Sequence, residues 1–405
     1  MEKMLNYERA NTVIFTEEIR NEIASLKEEL TDERVLEMIE EKALADREIC
    51  SSYRDCVQLV DRVFYKVRRD LDILEPLAED KEISEIMVNG KDEIFVEKNG
   101  HLMRVDISFD TTEELEELIQ RIAAGVHREI NEMNPIVDAR LPDGSRVNAV
   151  YKNIALNGPI LTIRKFPEKA ITMETLIKLG SITEEAAEFL KRLVQAGYNC
   201  FISGGTSSGK TTFLNVLSNY IPPDERVIVI EDSAELQIRQ IKNLVRLECK
   251  NANVQGKGQI TMEQLIKTSL RMRPDRIIVG EVRGAEVLDM LQAMNTGHAG
   301  SLSTGHGNSI EGMLKRLESM FLQAADFPVD AIRSQIAEGI DIIIHLGRLA
   351  DGSRKVLEIA ELAGFENGII KTRTLFRYRS GKGLEKTAEG LLNTEKLELM
   401  SGVIK

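Results

Sequence analysis

The stretch Gly204-Gly205-Thr206-Ser207-Ser208-Gly209-Lys210-Thr211 fits the pattern G-x-x-x-x-G-K-[ST] of a phosphate-binding P-loop. Residues 198–203 (YNCFIS) before it are typical of a short buried strand, and residues 212–220 (TFLNVLSNY) after it are typical of a helix. Glycines let backbone N–H groups converge on phosphates, and the N-terminus of the helix adds positive potential. The sequence therefore predicts a site for ATP or GTP.

Specific roles follow from this pattern. We expect Lys210 to reach the β- and γ-phosphates and the hydroxyl of Thr211 to bind Mg²⁺. The residues predicted to bind the nucleotide are Gly204, Gly205, Thr206, Ser207, Ser208, Gly209, Lys210, Thr211 and Thr212.

Composition narrows the class of protein. The 405 residues are 42% hydrophobic and 29% charged, which is enough for two or three domains with sizeable cores. The net charge of −13 makes a general nucleic-acid binder a poor match, because neutralising phosphates requires a surplus of Lys and Arg.

The cysteines and the apolar runs argue against a zinc module and a membrane span. No run approaches the roughly 18 apolar residues of a spanning helix, and the polar N-terminus does not resemble a signal peptide. We therefore expect a cytoplasmic protein. The cysteines show no zinc-binding spacing and stand at Cys50, Cys56, Cys200 and Cys249.

The first half of the chain changes character near residue 76. Residues from Thr16 to about Asp70 are helical in pattern, with caps expected at Thr16 and Thr31, and residues 1–75 are predicted to be a docking region of three helices. Residues 76–166 are predicted to form a small α+β domain. Its expected strands cover 83–90, 93–97, 146–151 and 160–166, around a helix at 111–127. A linker is predicted at 167–182.

Residues 183–405 are predicted to form one α/β domain with a C-terminal extension. Helical and strand patterns alternate from residue 183 to residue 304, which favours a largely parallel sheet. Three later strand patterns are expected to form antiparallel edge strands, at 340–346, 356–363 and 369–378.

Two predicted strands end in carboxylates. Residues 227–230 lead into Glu231 and Asp232, which could hold Mg²⁺ through water or orient it, or could be solvated acids in a turn. Residues 276–280 lead into Glu281 in the manner of a Walker B strand, where the acid can activate or orient the attacking water. The sequence does not decide whether Glu231 or Glu281 is the general base.

Two of the five histidines, His298 and His306, flank a short strand pattern at 300–304. They could sense the γ-phosphate, and a structural role for each remains open. A metal site is disfavoured, because no Cys, Asp or Glu joins them at ligand spacing.

Together these motifs resemble the secretion ATPases of the type II/type IV superfamily, with Walker A, Asp box, Walker B and His box in that order. Residues 141–150 (LPDGSRVNAV) and 270–283 (LRMRPDRIIVGEVR) look like the CpaF-type branch, which serves tight-adherence pili. The chain departs from the pattern at Ser207, where many members carry Gly. It also lacks the tetracysteine module of many type II members.

The resemblance implies a RecA-like motor domain preceded by a small α+β (PAS-like) domain and a helical bundle. It also implies a homohexameric ring that uses ATP and Mg²⁺ and is recruited to the inner face of the cell membrane by a polytopic platform protein. Arginines of the N-terminal domain would neutralise charge on the γ-phosphoryl group. The candidates by position are Arg140, Arg146 and Arg164.

Three other functions stay open. A conjugation-type (type IV) traffic ATPase shares every motif, although its N-terminal region is usually shorter. A nucleotide-gated docking switch is disfavoured by the presence of both Glu231 and Glu281. A nucleic-acid motor is disfavoured by the net charge of −13 and the lack of a basic or aromatic-rich tract.

The arginine hypothesis is tested with Arg164→Ala. If the Arg164 side chain neutralises charge in the transition state, the variant keeps nucleotide affinity and loses most hydrolysis. Steady-state ATPase assays and nucleotide titrations measure the two quantities separately. An unchanged kcat would remove Arg164 from the site.

Overall fold

The fold comes from a computed structural model that describes residues 2–26, 30–45, 50, 52–166, 171–250, 252 and 257–401. The chain forms two compact units, Met1–Glu168 and Lys169–Lys405. The finer boundaries expected at residues 75 and 182 remain predictions, and residues 167–170 of the expected linker lie outside the described residues.

The first unit begins with three helices around a small apolar core. The helices are α1 (Glu2–Ser25), α2 (Asp32–Ala45) and α3 (Tyr53–Arg68). Their shared core is built from side chains on all three, including Phe15, Ile19, Val35, Ile39, Val60 and Val63. The three-helix prediction is confirmed.

One of the two expected helix caps is correct. The Thr31 hydroxyl accepts a hydrogen bond from the Arg34 N–H at 3.3 Å, just ahead of α2. The cap expected at Thr16 is wrong, because α1 begins much earlier and Thr16 lies inside it. There the Thr16 hydroxyl donates to the Thr12 carbonyl at 2.8 Å, one turn back.

An antiparallel sheet with one main helix forms the rest of the first unit. The elements are α4 (Glu75–Glu79), β1 (Ile83–Asn89), β2 (Ile94–Lys98), β3 (His101–Val105), α5 (Thr112–Gly125), β4 (Ile136–Arg140), β5 (Arg146–Val150) and β6 (Ile160–Arg164). The strands have the order β3-β2-β1-β6-β5-β4, and α5 begins at a cap in which the Thr111 side chain accepts a hydrogen bond from the Glu114 N–H. This is the expected α+β arrangement, but β3 and β4 were not predicted.

A buried ion cluster joins α3 to the start of α5. Lys66 is only 4% exposed, and its Nζ lies 2.5 Å from Asp110 Oδ2 and also contacts Glu114. Arg62 adds a second contact to Asp110, at 2.7 Å. Because a buried charge is stable only when it is paired, this cluster holds the helical bundle against the α+β part.

The second unit contains the P-loop and a large mixed sheet. Its elements are α6 (Met173–Lys178), α7 (Glu184–Gln195), β7 (Cys200–Gly204), α8 (Lys210–Ser218), β8 (Arg226–Glu231), β9 (Asn243–Glu248), α9 (Met262–Ser269), β10 (Arg276–Val282), α10 (Val287–Asn295), β11 (Leu302–His306), α11 (Ile310–Ala324), α12 (Val329–Gly339), β12 (Ile342–Arg348), β13 (Arg354–Glu366), β14 (Ile369–Arg379), β15 (Gly383–Lys386) and α13 (Glu395–Met400).

The sheet has the order β15-β14-β13-β12-β7-β11-β10-β8-β9. The neighbouring strands in the run β12-β7-β11-β10-β8-β9 pair in parallel. The neighbouring strands in the run β15-β14-β13-β12 pair antiparallel. The predicted α/β fold class is therefore confirmed. The expectation that 340–346, 356–363 and 369–378 form edge strands is wrong, since β12, β13 and β14 each have a neighbouring strand on both sides. Strands β13 and β14 are antiparallel to their neighbours, as expected, whereas β12 is antiparallel to β13 but parallel to β7.

Both faces of this sheet are buried. Val227 and Val229 face a core that includes α7 and α8, while Ile228 and Ile230 face a core that includes α10, α11 and α12. A strand buried on both faces has no polar alternation, which explains the continuous apolar runs of the sequence. Among the described residues, no helix is both long and apolar enough to cross a membrane.

The ion cluster makes a stability prediction. Lys66→Ala removes the buried ammonium group that Asp110 and Glu114 share and leaves Asp110 only its contact with Arg62, so we expect the free energy of unfolding to fall by about 3 kcal/mol. Lys42→Ala is the matched control, because Lys42 pairs with Glu18 and Glu22 at an exposed site of the same bundle. Its cost should stay below about 1 kcal/mol. Urea unfolding followed by circular dichroism measures both, and equal losses would contradict the assignment.

Candidate functional site

The P-loop leaves the sheet at its most enclosed strand. Gly204, the last residue of β7, pairs with His306 of β11 on one side and Leu346 of β12 on the other. The loop then runs over residues 205–209, and α8 begins at Lys210. The predicted order of strand, phosphate loop and helix is confirmed, at the carboxyl edge where α/β sheets bind ligands.

Sterics and backbone conformation fix the loop. A Cβ on Gly204 would lie 2.4 Å from Ser208 Oγ and 2.7 Å from the Leu346 carbonyl oxygen. Gly209 has φ +93°, and Ser207 has φ +57°, which is the left-handed region that glycine favours. The loop therefore depends on a glycine at position 204 and accommodates a serine in an unfavourable conformation at position 207.

Lys210 is largely buried at the start of α8. Its Nζ donates to the Gly205 carbonyl at 2.9 Å and lies 3.3 Å from His306 Nδ1. Burial lowers the pKa of Lys210, although the nearby Glu281 carboxylate opposes that shift. The ammonium group thus folds back over the loop, where phosphates would meet it.

A charged cluster of Lys210, Glu281, Arg283 and His306 surrounds this point. His306 Nε2 lies 2.7 Å from Glu281 Oε1, and Arg283 Nη2 donates to Glu281 Oε2 at 2.8 Å. Burial and then the charge of Lys210 lower the pKa of His306, which favours the neutral form of the ring. The structure therefore brings Glu281 and His306 to the P-loop lysine.

The two candidate carboxylates have different surroundings. Glu231 is 3% exposed, and its Oε1 accepts hydrogen bonds from the N–H groups of Glu235 and Leu236 at 2.7 and 3.0 Å. Burial raises the pKa of Glu231, against those hydrogen bonds. A Cβ on Gly280 would lie 3.1 Å from Glu231 Cγ, so the glycine before Glu281 makes room for this buried acid.

Asp232, the residue after Glu231, has an exposed side chain. It follows β8 directly, and its Oδ2 lies 3.4 Å from Arg283 Nη1. Arg283 therefore links Asp232 to Glu281. The sequence did not indicate this role for Arg283. Its position immediately after the Walker B strand was the available signal.

The structure does not bring His298 to the P-loop. His298 precedes β11, whose first residue Leu302 pairs with Cys200 at the start of β7. His298 therefore lies at the edge of the sheet opposite to His306. Its Nδ1 is 3.2 Å from the Ala293 carbonyl oxygen, and its own carbonyl accepts from Ser301 Oγ at 2.7 Å. These contacts fit a residue that holds the turn between α10 and β11.

The three candidate arginines form a row in the first unit. Arg140 of β4 is paired in register with Arg146 of β5, which is paired with Arg164 of β6. Directly paired residues of an antiparallel sheet project to the same face, so the three side chains share one face at one end of the sheet. Sequence spacing alone did not reveal this alignment.

The glycine contacts predict different outcomes for two substitutions. Gly204→Ala forces the loop apart, because the new methyl group meets a backbone carbonyl, so we expect the affinity for ATP to fall at least about tenfold. Gly125→Ala is the control, because Gly125 ends α5 outside the predicted nucleotide site and nothing lies within 4 Å of its Cβ position. Titration with ATP checks both, and equal affinities would contradict the loop geometry.

Comparison with known proteins gives the family. A family model described as "Type II/IV secretion system protein" matches residues 67–389. A putative conjugal transfer protein of Mycobacterium tuberculosis is 35% identical over 326 residues, which cover 79% of this chain and 91% of that protein. The conjugal transfer protein TrbB of Rhizobium radiobacter is 33% identical over 298 residues, covering 73% and 88% respectively.

A solved structure supports the fold. The crystal structure of the pilus retraction motor PilT with bound ADP aligns with this chain with a TM-score of 0.53 and a sequence identity of 20%. The aligned part covers 82% of this chain and 88% of the PilT chain. The match of the family model over most of the chain, together with these relatives, shows that the chain belongs to the type II/IV secretion system ATPase family and is an ATPase.

Proposed function

We propose that the chain hydrolyses ATP at the P-loop and uses the energy to drive pilus assembly or protein secretion. The observation that carries the proposal is the charged cluster, in which a P-loop lysine, a histidine and a Walker B carboxylate meet at the carboxyl edge of the sheet. Hydrolysis requires positive charge on the phosphates and a carboxylate to orient water, and these residues supply both.

Glu281 is the group that activates or orients the attacking water. Its carboxylate belongs to the charged cluster, beside His306 and Arg283. Glu231 instead gives one oxygen to two backbone N–H groups and is almost fully buried, so it holds the turn after β8. His306 can exchange contacts between Glu281 and a γ-phosphate.

Mg²⁺ fits the oxygen donors at this edge. The Thr211 hydroxyl is the next side chain after Lys210, and Asp232 supplies an exposed carboxylate. Oxygen ligands suit Mg²⁺, which keeps several waters and binds through one or two protein groups and the nucleotide phosphates. When bound, the ion would neutralise phosphate charge. Glu231 fits less well as a ligand, because its Oε1 already accepts two hydrogen bonds.

The arginine row supports a homohexameric ring. Arg140, Arg146 and Arg164 place three guanidinium groups on one face of the α+β sheet, and stabilising the developing phosphate charge needs such groups. In the proposed ring, this row neutralises the charge that develops on a bound nucleotide. The ring then converts the motion that accompanies hydrolysis into mechanical work. We place this work at the cytoplasmic face of the cell membrane, on a polytopic platform protein.

The leading branch is the CpaF-type ATPase of tight-adherence pili. It is supported by residues 141–150 and 270–283, by the absence of a tetracysteine module, and by an N-terminal region of about 75 residues. A type IV secretion traffic ATPase is the second candidate, and the names of the Mycobacterium and Rhizobium relatives, both conjugal transfer proteins, favour it.

The carboxylate assignment predicts unequal defects. Glu281→Gln removes the group that orients water, so we expect kcat to fall at least about a hundredfold while ATP stays bound. Glu231→Gln keeps an oxygen that can accept the same backbone hydrogen bonds, so its loss of kcat should stay within about tenfold. Single-turnover hydrolysis measures both variants. A larger defect in Glu231→Gln would make Glu231 the base.

A pull-down distinguishes the two branches. The bait is the Glu281→Gln protein loaded with ATP and Mg²⁺, and the prey is the detergent-solubilised membrane fraction of the native host. Recovery of a polytopic platform protein with pilin-like subunits supports the pilus branch. Recovery of conjugation-channel components moves the chain to the traffic ATPases. The Lys210→Ala protein, expected not to hold ATP, is the control for nucleotide-independent binding.

A further inference from the structure

Ser207 is a non-glycine residue in left-handed conformation at the centre of the P-loop. Its φ is +57°, and the next residue but one, Gly209, has φ +93°. A left-handed turn lets successive N–H groups point to one anion, so the conformation of Ser207 matters for phosphate binding. A residue with a Cβ disfavours this conformation, and the loop therefore needs something to hold it.

Arg354 contacts the loop at this residue. Its Nε donates to the Ser207 carbonyl oxygen at 2.9 Å, and its Cδ lies 3.4 Å from the position that a Cβ on Gly209 would occupy. Arg354 begins β13, immediately after the hairpin from β12. Since β12 pairs with β7, the hairpin places this guanidinium against the outer side of the loop that β7 enters.

The contact is a charge-assisted hydrogen bond, which is stronger than a bond between neutral groups. The carbonyl that accepts it belongs to the peptide plane after Ser207, so fixing the oxygen also fixes the direction of the following N–H group. Holding the loop in its phosphate-binding form before the nucleotide arrives reduces the cost of binding.

We propose that Arg354 is a positioning residue for the nucleotide: it holds Ser207 in the left-handed conformation that the P-loop needs, in the place where glycine would need no support. The inference rests on the proposed nucleotide site. Arg354 acts through the loop and not on the reacting atoms, so it affects nucleotide affinity more than the chemical step.

The test is a double-mutant cycle read by isothermal titration of the full chain with ADP and Mg²⁺. We expect Arg354→Ala to raise the Kd for ADP about tenfold, the effect of losing one hydrogen bond to a charged group. In the Ser207→Gly background, the same substitution should change the Kd less than about twofold, because glycine adopts the conformation unaided. ATP turnover should show the change in KM and not in kcat.

Two further variants serve as controls. Arg348→Ala removes an exposed arginine of the same hairpin, paired in register with Arg354. Arg348 makes no hydrogen bond to residues 204–211, all of which lie in the described part of the chain, so the Kd of this variant should equal that of the native protein. Arg354→Met keeps the length of the side chain but has neither the charge nor an N–H donor, and it should weaken ADP binding as Arg354→Ala does.

The outcomes distinguish a failure of the role proposed for Arg354 from a failure of the proposed nucleotide site. An equal effect of Arg354→Ala in both backgrounds, or an equal effect of Arg348→Ala, overturns the inference and assigns Arg354 a general charge effect. Native affinity in Arg354→Met has the same meaning. Failure of the native chain to bind ADP at all would instead overturn the nucleotide site. Thermal unfolding of each variant shows that the fold is intact, and the exposed Arg354 side chain leaves no cavity when removed.

Discussion

The structure depends on the close contact at Gly204, where β7 ends between β11 and β12. The strand is paired on both sides and buried on both faces, so the chain can leave the sheet only at its carboxyl edge. At that exit, the Leu346 carbonyl and Ser208 Oγ leave no space for a side chain. The same contact that requires glycine places the start of α8, and with it Lys210, beside the end of β11.

The chemistry of the site follows from the parallel pairing of the strands. β11 runs beside β7 and β10 runs beside β11, all in the same direction, so Glu281 and His306 reach the same edge as Lys210. Burial then separates the roles of similar groups. Glu231 is enclosed and serves backbone N–H groups, whereas Glu281 faces charged partners. The ends of the adjacent strands β8 and β10 thus carry two carboxylates in different surroundings, to which we propose a structural and a reactive role respectively.

The sequence predicted those strands and loops whose residues form a pattern within one short segment. The apolar runs identified β7, β8 and β10, and the glycines and Lys210 identified the loop between β7 and α8. Pairing between distant segments was not predictable, so β12 was misplaced at an edge and the alignment of Arg140 with Arg146 and Arg164 was missed. β3 is exposed almost throughout and shows no alternation, so its pattern carried no signal. Arg354 meets Ser207 across 147 positions, a contact that no motif encodes.

The proposed function requires first that ATP is hydrolysed at the P-loop with Lys210 in contact with its phosphates. Release of inorganic phosphate from ATP and Mg²⁺ by the purified chain, measured beside that by the Lys210→Ala protein, tests this requirement. We expect steady turnover by the native chain and a loss of at least about a hundredfold without the lysine. Equal rates for the two proteins would rule out hydrolysis at this site.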